Sequence, residues 1–304
     1  MLLAAAPPWH EASTSVDVPG GKLYGTLTIP PGAGPFPIAL IIAGSGPTDR
    51  NGNGPLLESD AYKLLAHGLA ERGIATLRYD KRTIGQSAMP GLREEDLRFE
   101  MFASDAVVLV DHLKADARFR NISIIGHSEG SLIGILAAER DSNVAGLISL
   151  EGAGRDPATI LVEQFREGGA SQPVVAAVAQ ITDRLRRGKT DALIDPSLFM
   201  EFRPSVQPYL ISWFRYDPAV EIEKLHVPLL IVQGTHDIQI GLQDARRLKS
   251  AAPNASLLII PGMNHVLRDA PADRAKNVAT YDQPTLPLTV QLVPAIANFI
   301  AGLP

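Results

Sequence analysis

Short, almost uninterrupted apolar runs alternate along this chain with segments of helical periodicity, and this alternation restricts the possible folds more than any other feature. Such runs are typical of strands buried on both faces, and they occur at 38–43, 74–79, 122–125, 145–150, 228–232 and 256–260. Helical patterns lie between or after them at 60–72, 94–114, 128–140, 243–250 and near the C-terminus. Ahead of the first run, two alternating segments flank Pro19-Gly20-Gly21 and predict an antiparallel hairpin. The sequence therefore predicts an α/β fold with a mostly parallel, doubly wound sheet of about eight strands.

The alternation is interrupted once, between the strand that ends at 150 and the strand that begins near 227. The roughly 75 residues between them show helical patterns at 157–167, 173–187 and 207–215 but no convincing strand, and they are too many for a structureless loop. We predict a helical cap inserted between the sixth and seventh strands. The expected organisation is a tail at 1–12, a core formed by 13–152 and 226–304, and a cap at 153–225.

Composition excludes several classes of protein. The chain has 28 Lys and Arg residues and 33 Asp and Glu residues, which gives a net charge of −5. Because it also has no basic cluster, a nucleic-acid partner is not expected. The absence of cysteine excludes disulfides, thiolate metal sites and a cysteine nucleophile.

The glycine patterns lack the third glycine of a dinucleotide site, so no cofactor is expected. The histidines have no metal-binding spacing, and the calcium-loop-like segment 49–60 follows a strand rather than a helix, so we expect no metal.

The two ends of the chain raise the question of membranes and export. The uncharged stretch 283–304 is long enough to span a bilayer, but its prolines and the helical spacing of its apolar residues predict an amphipathic surface helix instead. The first eight residues lack the basic region and the full apolar run of a signal peptide. They are interpreted as a trimmed signal-peptide remnant or a cloning remnant, and both a cytoplasmic and an exported location stay open.

The strongest chemical signal is the segment Gly126-His127-Ser128-Glu129-Gly130, a G-x-S-x-G pattern between a buried strand and an apolar helix. In that context the serine occupies the tip of a strained turn, and the glycines remove Cβ atoms that would collide where strand and helix cross. We predict Ser128 as a nucleophile and the backbone N–H of Glu129, at the helix N-terminus, as a donor to an oxyanion. The alternative is a Gly-Ser turn in which Ser128 only caps the helix.

A serine nucleophile requires a base and an orienting acid, in the chain order serine, acid, histidine. Asp237 follows the strand 228–232, and His265 follows the strand 256–260. Since the carboxyl ends of parallel strands meet at one edge of a sheet, these residues are expected to converge on Ser128. Asp217 and Asp244 are the alternatives for the acid.

With these residues the chain resembles the α/β-hydrolase superfamily over nearly its whole length, and more narrowly the small bacterial carboxylesterases akin to monoacylglycerol lipases and serine aminopeptidases. The resemblance also rests on Ala-Gly-Ser-Gly-Pro at 43–47 and on 79–87, which is similar to the family's D-x-R-G-x-G-x-S. Thr83 stands in place of the first glycine of that motif. The resemblance implies that the N–H of Ser45 is the second oxyanion donor, with Gly46 as the alternative.

The expected activity is two-step hydrolysis of a small-molecule carboxylic ester with a small to medium acyl chain, through a Ser-His-Asp triad and without a cofactor. Leu210, Trp213 and Phe214 of the cap are predicted to line the acyl pocket, with simple packing of cap on core as the alternative. A peptidase or amidase of the same fold is the second hypothesis, which Glu151 would favour if it faced the site and held a substrate amine. A thioesterase or acyltransferase and a non-catalytic binding protein of this fold complete the alternatives.

Overall fold

The structure, a computed structural model, describes residues 7–55 and 57–304, so expectations for residues 1–6 lie outside it. Its eight strands are β1 (His10–Val18), β2 (Gly21–Ile29), β3 (Phe36–Ile42), β4 (Ala75–Tyr79), β5 (Phe119–His127), β6 (Gly146–Leu150), β7 (Leu229–Gly234) and β8 (Ser256–Ile260). They form one sheet in the order β1-β2-β4-β3-β5-β6-β7-β8. The β1–β2 and β2–β4 pairs are antiparallel, and all other neighbours are parallel. The predicted fold class is confirmed.

Within the described residues, eleven α-helices lie between or after these strands. They are α1 (Ala61–Ala70), α2 (Phe99–Ala115), α3 (Glu129–Arg140), α4 (Pro157–Glu167), α5 (Gln172–Arg186), α6 (Phe199–Phe202), α7 (Gln207–Trp213), α8 (Pro218–Ile222), α9 (Leu242–Ala251), α10 (Arg274–Val278) and α11 (Leu292–Ala301). The helix expected from residue 94 begins later, because a short 3₁₀ turn at 94–96 and two extended residues precede α2. Helices α6, α8 and α10 were not predicted, because they are too short to show a helical period.

The apolar runs are continuous because the central strands are covered on both faces. Along β3, Ile38, Leu40 and Ile42 pack into one hydrophobic layer together with residues of α2 and α3. Ala39 and Ile41, which alternate with them, pack into the opposite layer with residues of α1 and α11. Side chains alternate across a strand, so a strand between two layers needs apolar residues at every position.

The first strand is longer than the sequence predicts. It begins at His10, which pairs with Ile29, so three residues of the expected tail at 1–12, namely 10–12, belong to the strand. The reason is that β1 lies at the edge of the sheet and its first half is mostly exposed, which weakens the alternation of apolar and polar residues.

Between β6 and β7, residues 153–225 carry α4 to α8, and we call this stretch the cap segment. It has a hydrophobic cluster of its own, formed by Ala158, Val178, Ile181, Leu185, Leu198, Phe202, Leu210 and Phe214. It also packs on the rest of the chain, where the Trp213 ring stacks on Phe99 of α2 at 5.8 Å between ring centroids. The exact division into core and cap remains a prediction.

The C-terminal helix packs on the body of the molecule. Leu292, Ile296 and Ile300 of α11 are buried in the layer that also contains α1, whereas Ala301 is exposed. This is the amphipathic arrangement expected from the spacing of the apolar residues. Across residues 7–55 and 57–304, no helix has both the length and the apolar character needed to cross a membrane.

The cap cluster generates a stability prediction with an internal control. Phe202 is fully buried in that cluster, whereas Phe199, one helical turn away, is 48% exposed. Phe202→Ala should lower the free energy of unfolding by about 3–5 kcal/mol, because it leaves a cavity in a packed cluster. Phe199→Ala should cost well under that amount. Urea unfolding followed by circular dichroism measures both, and equal losses would contradict the assignment of Phe202 to a packed core.

Candidate active site

A tight turn joins β5 to α3, and Ser128 is its central residue. Ser128 has φ 54° and ψ −120°, a conformation that side-chain-bearing residues rarely adopt. A Cβ atom on Gly126 would overlap the carbonyl oxygen of Gly130, and one on Gly130 would overlap that of Ile42. Strand and helix therefore approach so closely that only glycine fits at both positions, as the sequence analysis expected.

Asp237 and His265 meet at the same edge of the sheet. Asp237 lies three residues after β7, His265 five residues after β8, and the two strands are parallel neighbours. The Nδ1 atom of His265 lies 2.7 Å from Oδ2 of Asp237. The other oxygen, Oδ1, accepts the backbone N–H groups of Gln239 at 2.7 Å and Ile240 at 3.0 Å. The carboxylate is thus fixed on both sides.

The charge state of Asp237 follows from these contacts. Burial alone would raise the pKa of Asp237, but the His265 ring, its hydrogen bond and a hydrogen bond from Glu151 hold that pKa below its usual value. An anionic carboxylate at Nδ1 keeps the proton of His265 on that nitrogen. The Nε2 atom then has a lone pair, which is what a general base requires.

The two alternative acids are used elsewhere. Asp217 pairs with Arg247 at 2.5 Å, and Asp244 pairs with Arg155 at 2.8 Å. Asp244 also accepts the backbone N–H of Gly154 at 3.0 Å. Neither carboxylate is in contact with His265, so the structure brings Asp237 alone of the three to the histidine.

Two cavities meet at Ser128. The larger, of about 580 Å³, lies between the cap segment and the sheet edge, and the smaller has about 130 Å³. Ser45, Ser128 and Gln239 line both cavities, and His265 lines the smaller one. Ser128 and His265 therefore border a common space. It lies beside residues 43–47, which follow β3 and which we call the oxyanion loop after their expected role.

Two backbone N–H groups beside Ser128 are free to bind an oxyanion. Glu129 is the first residue of α3, so its N–H has no acceptor within the helix. The N–H of Gly44 donates to Tyr62 Oη at 3.1 Å and is not available. That of Ser45 makes no hydrogen bond within the described part of the chain. A Cβ atom on Gly44 would lie 3.2 Å from Ser128 Cβ, so this loop directly adjoins the turn.

A buried chain of hydrogen bonds connects the oxyanion loop to His265. His127 Nε2 lies 2.8 Å from the carbonyl oxygen of His265, and Nδ1 lies 2.8 Å from Tyr62 Oη. A carbonyl only accepts, so Nε2 carries the proton, Tyr62 donates to Nδ1, and Gly44 donates to Tyr62. Burial, together with the His265 ring, lowers the pKa of His127 to about 3, so this histidine is neutral. This pairing of Tyr62 with His127 has no signature in the sequence.

A buried ion pair forms a second link around the turn. The Glu129 carboxylate lies 2.8 Å from Lys81 Nζ, and both side chains are almost completely buried. Lys81 Nζ also donates to the carbonyl oxygen of Gly44 at 2.5 Å, and the Tyr209 hydroxyl of α7 donates to Glu129. This network links the cap segment to the turn at Ser128 and to the oxyanion loop. No sequence pattern indicated it.

The loop after β4 keeps its turn although Thr83 replaces a glycine of the family motif. Thr83 has φ 70°, the left-handed conformation that glycine adopts most easily. Asp80 accepts the backbone N–H and the guanidinium of Arg50, and Arg82 pairs with the buried Asp105. These contacts fix the loop on both sides of Thr83.

The expected pocket residues differ in position. Leu210 and Trp213 line the larger cavity, but Phe214 is not among its lining residues and packs into the cap cluster instead. Phe214 follows Trp213 directly, and because successive helical side chains point about 100° apart, the two side chains are directed to different surroundings. Much of the apolar lining was not predicted from the sequence, including Leu132, Ile160, Leu161, Val206 and Ile240.

Glu151 lies behind the site rather than in it. It is the first residue after β6, it is completely buried, and it lines neither cavity. Its carboxyl accepts the backbone N–H of Gly234 at 2.9 Å. The expectation that Glu151 would favour a peptidase by holding a substrate amine therefore loses its basis.

The calcium-loop-like segment uses its polar groups internally. Asp49 accepts the N–H groups of Asn51 and Asn53, and Asp60 pairs with Lys63 at 2.8 Å. Among residues 7–55 and 57–304, no group of three or more His, Cys, Asp or Glu residues is arranged to hold a metal ion.

The chain is similar in sequence to a family model and to characterised proteins. A family model described as serine aminopeptidase, S33, matches residues 53–197. Esterase EstD of Thermotoga maritima is 28% identical over 265 residues, which cover 84% of this chain and 61% of EstD. The chain thus spans less than two thirds of this relative's length.

Solved structures support the same fold. Est1E from Butyrivibrio proteoclasticus matches with a TM-score of 0.61 at 21% identity, covering 95% of this chain and 99% of Est1E. A proline iminopeptidase from Mycobacterium smegmatis matches with a TM-score of 0.63 at 15% identity, covering 95% of this chain and 98% of that protein. With its sheet order and these similarities, the chain has the α/β-hydrolase fold.

Proposed function

We propose that this protein is a serine hydrolase that cleaves carboxylic esters, with Ser128 as nucleophile, His265 as base and Asp237 as orienting acid. The observation that carries the proposal is the 2.7 Å contact between Asp237 and His265, at the edge where His265 and the strained Ser128 line one cavity. The similarity to EstD, named as an esterase, supports the ester as the substrate.

In the first step, Ser128 Oγ attacks the ester carbonyl carbon while His265 Nε2 takes the hydroxyl proton. The carbonyl oxygen becomes an anion that accepts hydrogen bonds from the N–H groups of Ser45 and Glu129. The C–O bond to the alcohol then breaks, and the proton on His265 passes to the leaving alcohol. The acyl group remains on Ser128.

In the second step, water attacks the acyl-enzyme after His265 removes its proton. The same two N–H groups bind the second oxyanion, the bond to Ser128 Oγ breaks, and Ser128 regains its proton from His265. Asp237 stays ionised throughout and stabilises the imidazolium formed in each step. No metal or organic cofactor takes part in this scheme.

The larger cavity favours an uncharged substrate with an apolar acyl group. Its apolar lining comes from the cap segment, α3 and the loop after β7. Of its three carboxylates, Glu129 is paired with Lys81 and Glu94 with Arg203, whereas the exposed Glu201 forms no salt bridge within the described residues. The largely apolar lining supports an ester of small to medium chain length over an aminoacyl substrate. An amidase, thioesterase or acyltransferase remains the second candidate.

Fluorophosphonate labelling tests the nucleophile. The reagent should modify this protein at Ser128 and abolish hydrolysis of p-nitrophenyl butyrate, because only an activated serine reacts with it. Ser128→Ala should prevent both labelling and hydrolysis. Peptide mass spectrometry locates the modified residue, and labelling at another serine would refute the assignment. Comparing p-nitrophenyl esters with aminoacyl-p-nitroanilides in parallel separates the esterase from the amidase.

The orienting role of Asp237 predicts a loss of rate without a loss of fold. Asp237→Asn should reduce kcat by up to about 10⁴-fold, because an amide favours the wrong tautomer of His265. Asp244→Asn, which removes the charge of a buried carboxylate outside the triad, is the control for effects on folding. Steady-state kinetics and circular dichroism measure the two effects, and near-normal turnover of the Asp237 variant would assign the acid elsewhere.

Trp213 and Phe214 form a matched pair for the pocket. Trp213→Ala should change the ratio of kcat/KM between short and long acyl esters, by about fourfold for each methylene that loses its apolar contact. Phe214→Ala should lower stability by about 3–5 kcal/mol and leave that ratio unchanged. Rates with acetate, butyrate, octanoate and laurate esters decide the matter. An unaltered chain-length profile for the Trp213 variant would remove this residue from the pocket.

A further inference from the structure

A second carboxyl group lies directly behind the orienting acid. Glu151 is the first residue after β6 and Asp237 lies three residues after β7, and these strands are parallel neighbours. The side-chain amide of Gln233 lies within hydrogen-bond distance of both carboxyl groups, so the two are close neighbours. Glu151 is completely buried and lines neither cavity, so it cannot reach a substrate.

The surroundings of Glu151 contain hydrogen-bond donors but no cation. One oxygen accepts the N–H of Gly234 at 2.9 Å, and the other accepts Nε2 of Gln233. Gln233 Nε2 also lies 3.3 Å from Asp237 Oδ2, so it bridges the two carboxyl groups. Within the described residues, Glu151 forms no salt bridge with Lys, Arg or His. Two adjacent carboxylates without a cation between them would repel, and one shared proton removes that repulsion.

The contacts decide which of the two carries the proton. Asp237 faces the His265 ring and two backbone N–H groups, all of which favour its anion. Glu151 has only two neutral donors. Burial, reinforced by the charge of Asp237, raises the pKa of Glu151 well above its usual value. The other titratable groups that face the pair are His265, on the loop after β8, and Tyr281, a buried phenol whose pKa is raised chiefly by burial.

We propose that Glu151 is a positioning residue that acts as a neutral acid and donates its O–H to Asp237. This hydrogen bond holds the Asp237 carboxylate in the orientation in which Oδ2 faces Nδ1 of His265. The triad thereby has a fourth member that touches neither substrate nor His265. The inference rests on the proposed function, because it assigns Asp237 the orienting role.

Substitution by glutamine tests the protonation state. Glu151→Gln preserves the shape and neutrality of a protonated glutamate and keeps an N–H donor for Asp237, so kcat should stay within about threefold of the parent. Glu151→Leu has a similar size but no donor, and kcat should fall about tenfold or more with little change in KM. Equal loss in both variants would overturn the proposal, and so would parent-like kcat and an unchanged pH–rate profile in the leucine variant.

A second measurement does not depend on catalysis or on the leucine variant folding. Histidine NMR follows the titration of the His265 ring in the parent and in Glu151→Gln. If Glu151 is neutral, the midpoint should be the same within about 0.3 pH unit. If Glu151 were ionised, removing its charge would lower the midpoint by about one unit or more, which would refute the proposal. The matched control is Glu221→Gln, which removes a carboxylate of α8 that is paired with Lys224.

The two proposals can fail separately. A parent protein that neither reacts with fluorophosphonate nor hydrolyses esters would refute the proposed function. The NMR comparison would still decide whether Glu151 is neutral beside Asp237. Conversely, an active parent with a lowered titration midpoint in Glu151→Gln would leave the esterase intact and remove only the role of Glu151.

Discussion

The close crossing of β5 and α3 is the constraint on which the site depends. Gly126 and Gly130 lack the Cβ atoms that would collide at this crossing. The chain can therefore turn within one residue, and Ser128 takes a positive φ to do so. Such a conformation costs about 1–3 kcal/mol and persists only where its surroundings fix it. The N–H of Ser128 donates to the carbonyl of Leu150 at 2.9 Å, which fastens the turn to the neighbouring strand. The start of α3 is thereby held against the loop after β3.

Two networks of different electrical character hold the loops around this turn. The chain from Gly44 through Tyr62 and His127 to the carbonyl of His265 is neutral throughout. The network of Lys81 and Glu129 is ionic and joins the cap segment through Tyr209. Both converge on Gly44, one at its N–H and the other at its carbonyl oxygen. The peptide orientation that leaves the Ser45 N–H free is thus fixed from both ends.

The sequence predicts the sheet and the strand ends well, because burial on both faces of a strand leaves a continuous apolar run. Ser128, Asp237 and His265 stand out for the same reason, since each lies within five residues of the end of such a run. The contacts of Lys81 with Glu129 and of Tyr62 with His127 leave no such trace, because each joins residues distant in the chain through side chains whose directions no pattern encodes. Trp213 and Phe214 illustrate the limit of prediction from sequence. They are neighbours in the chain, yet Trp213 lines the larger cavity and Phe214 is buried in the cap cluster.

The meeting of two unequal cavities at Ser128 has a stereochemical consequence. The space around Ser128 is unequal on its two sides, with about 580 Å³ on one side and about 130 Å³ on the other. An ester with a branched centre next to its carboxyl group has one large and one small substituent to accommodate. Its mirror image exchanges them and directs the larger group toward the smaller space. The proposed nucleophile, Ser128, therefore has a structural basis for distinguishing the handedness of a substrate as well as its length.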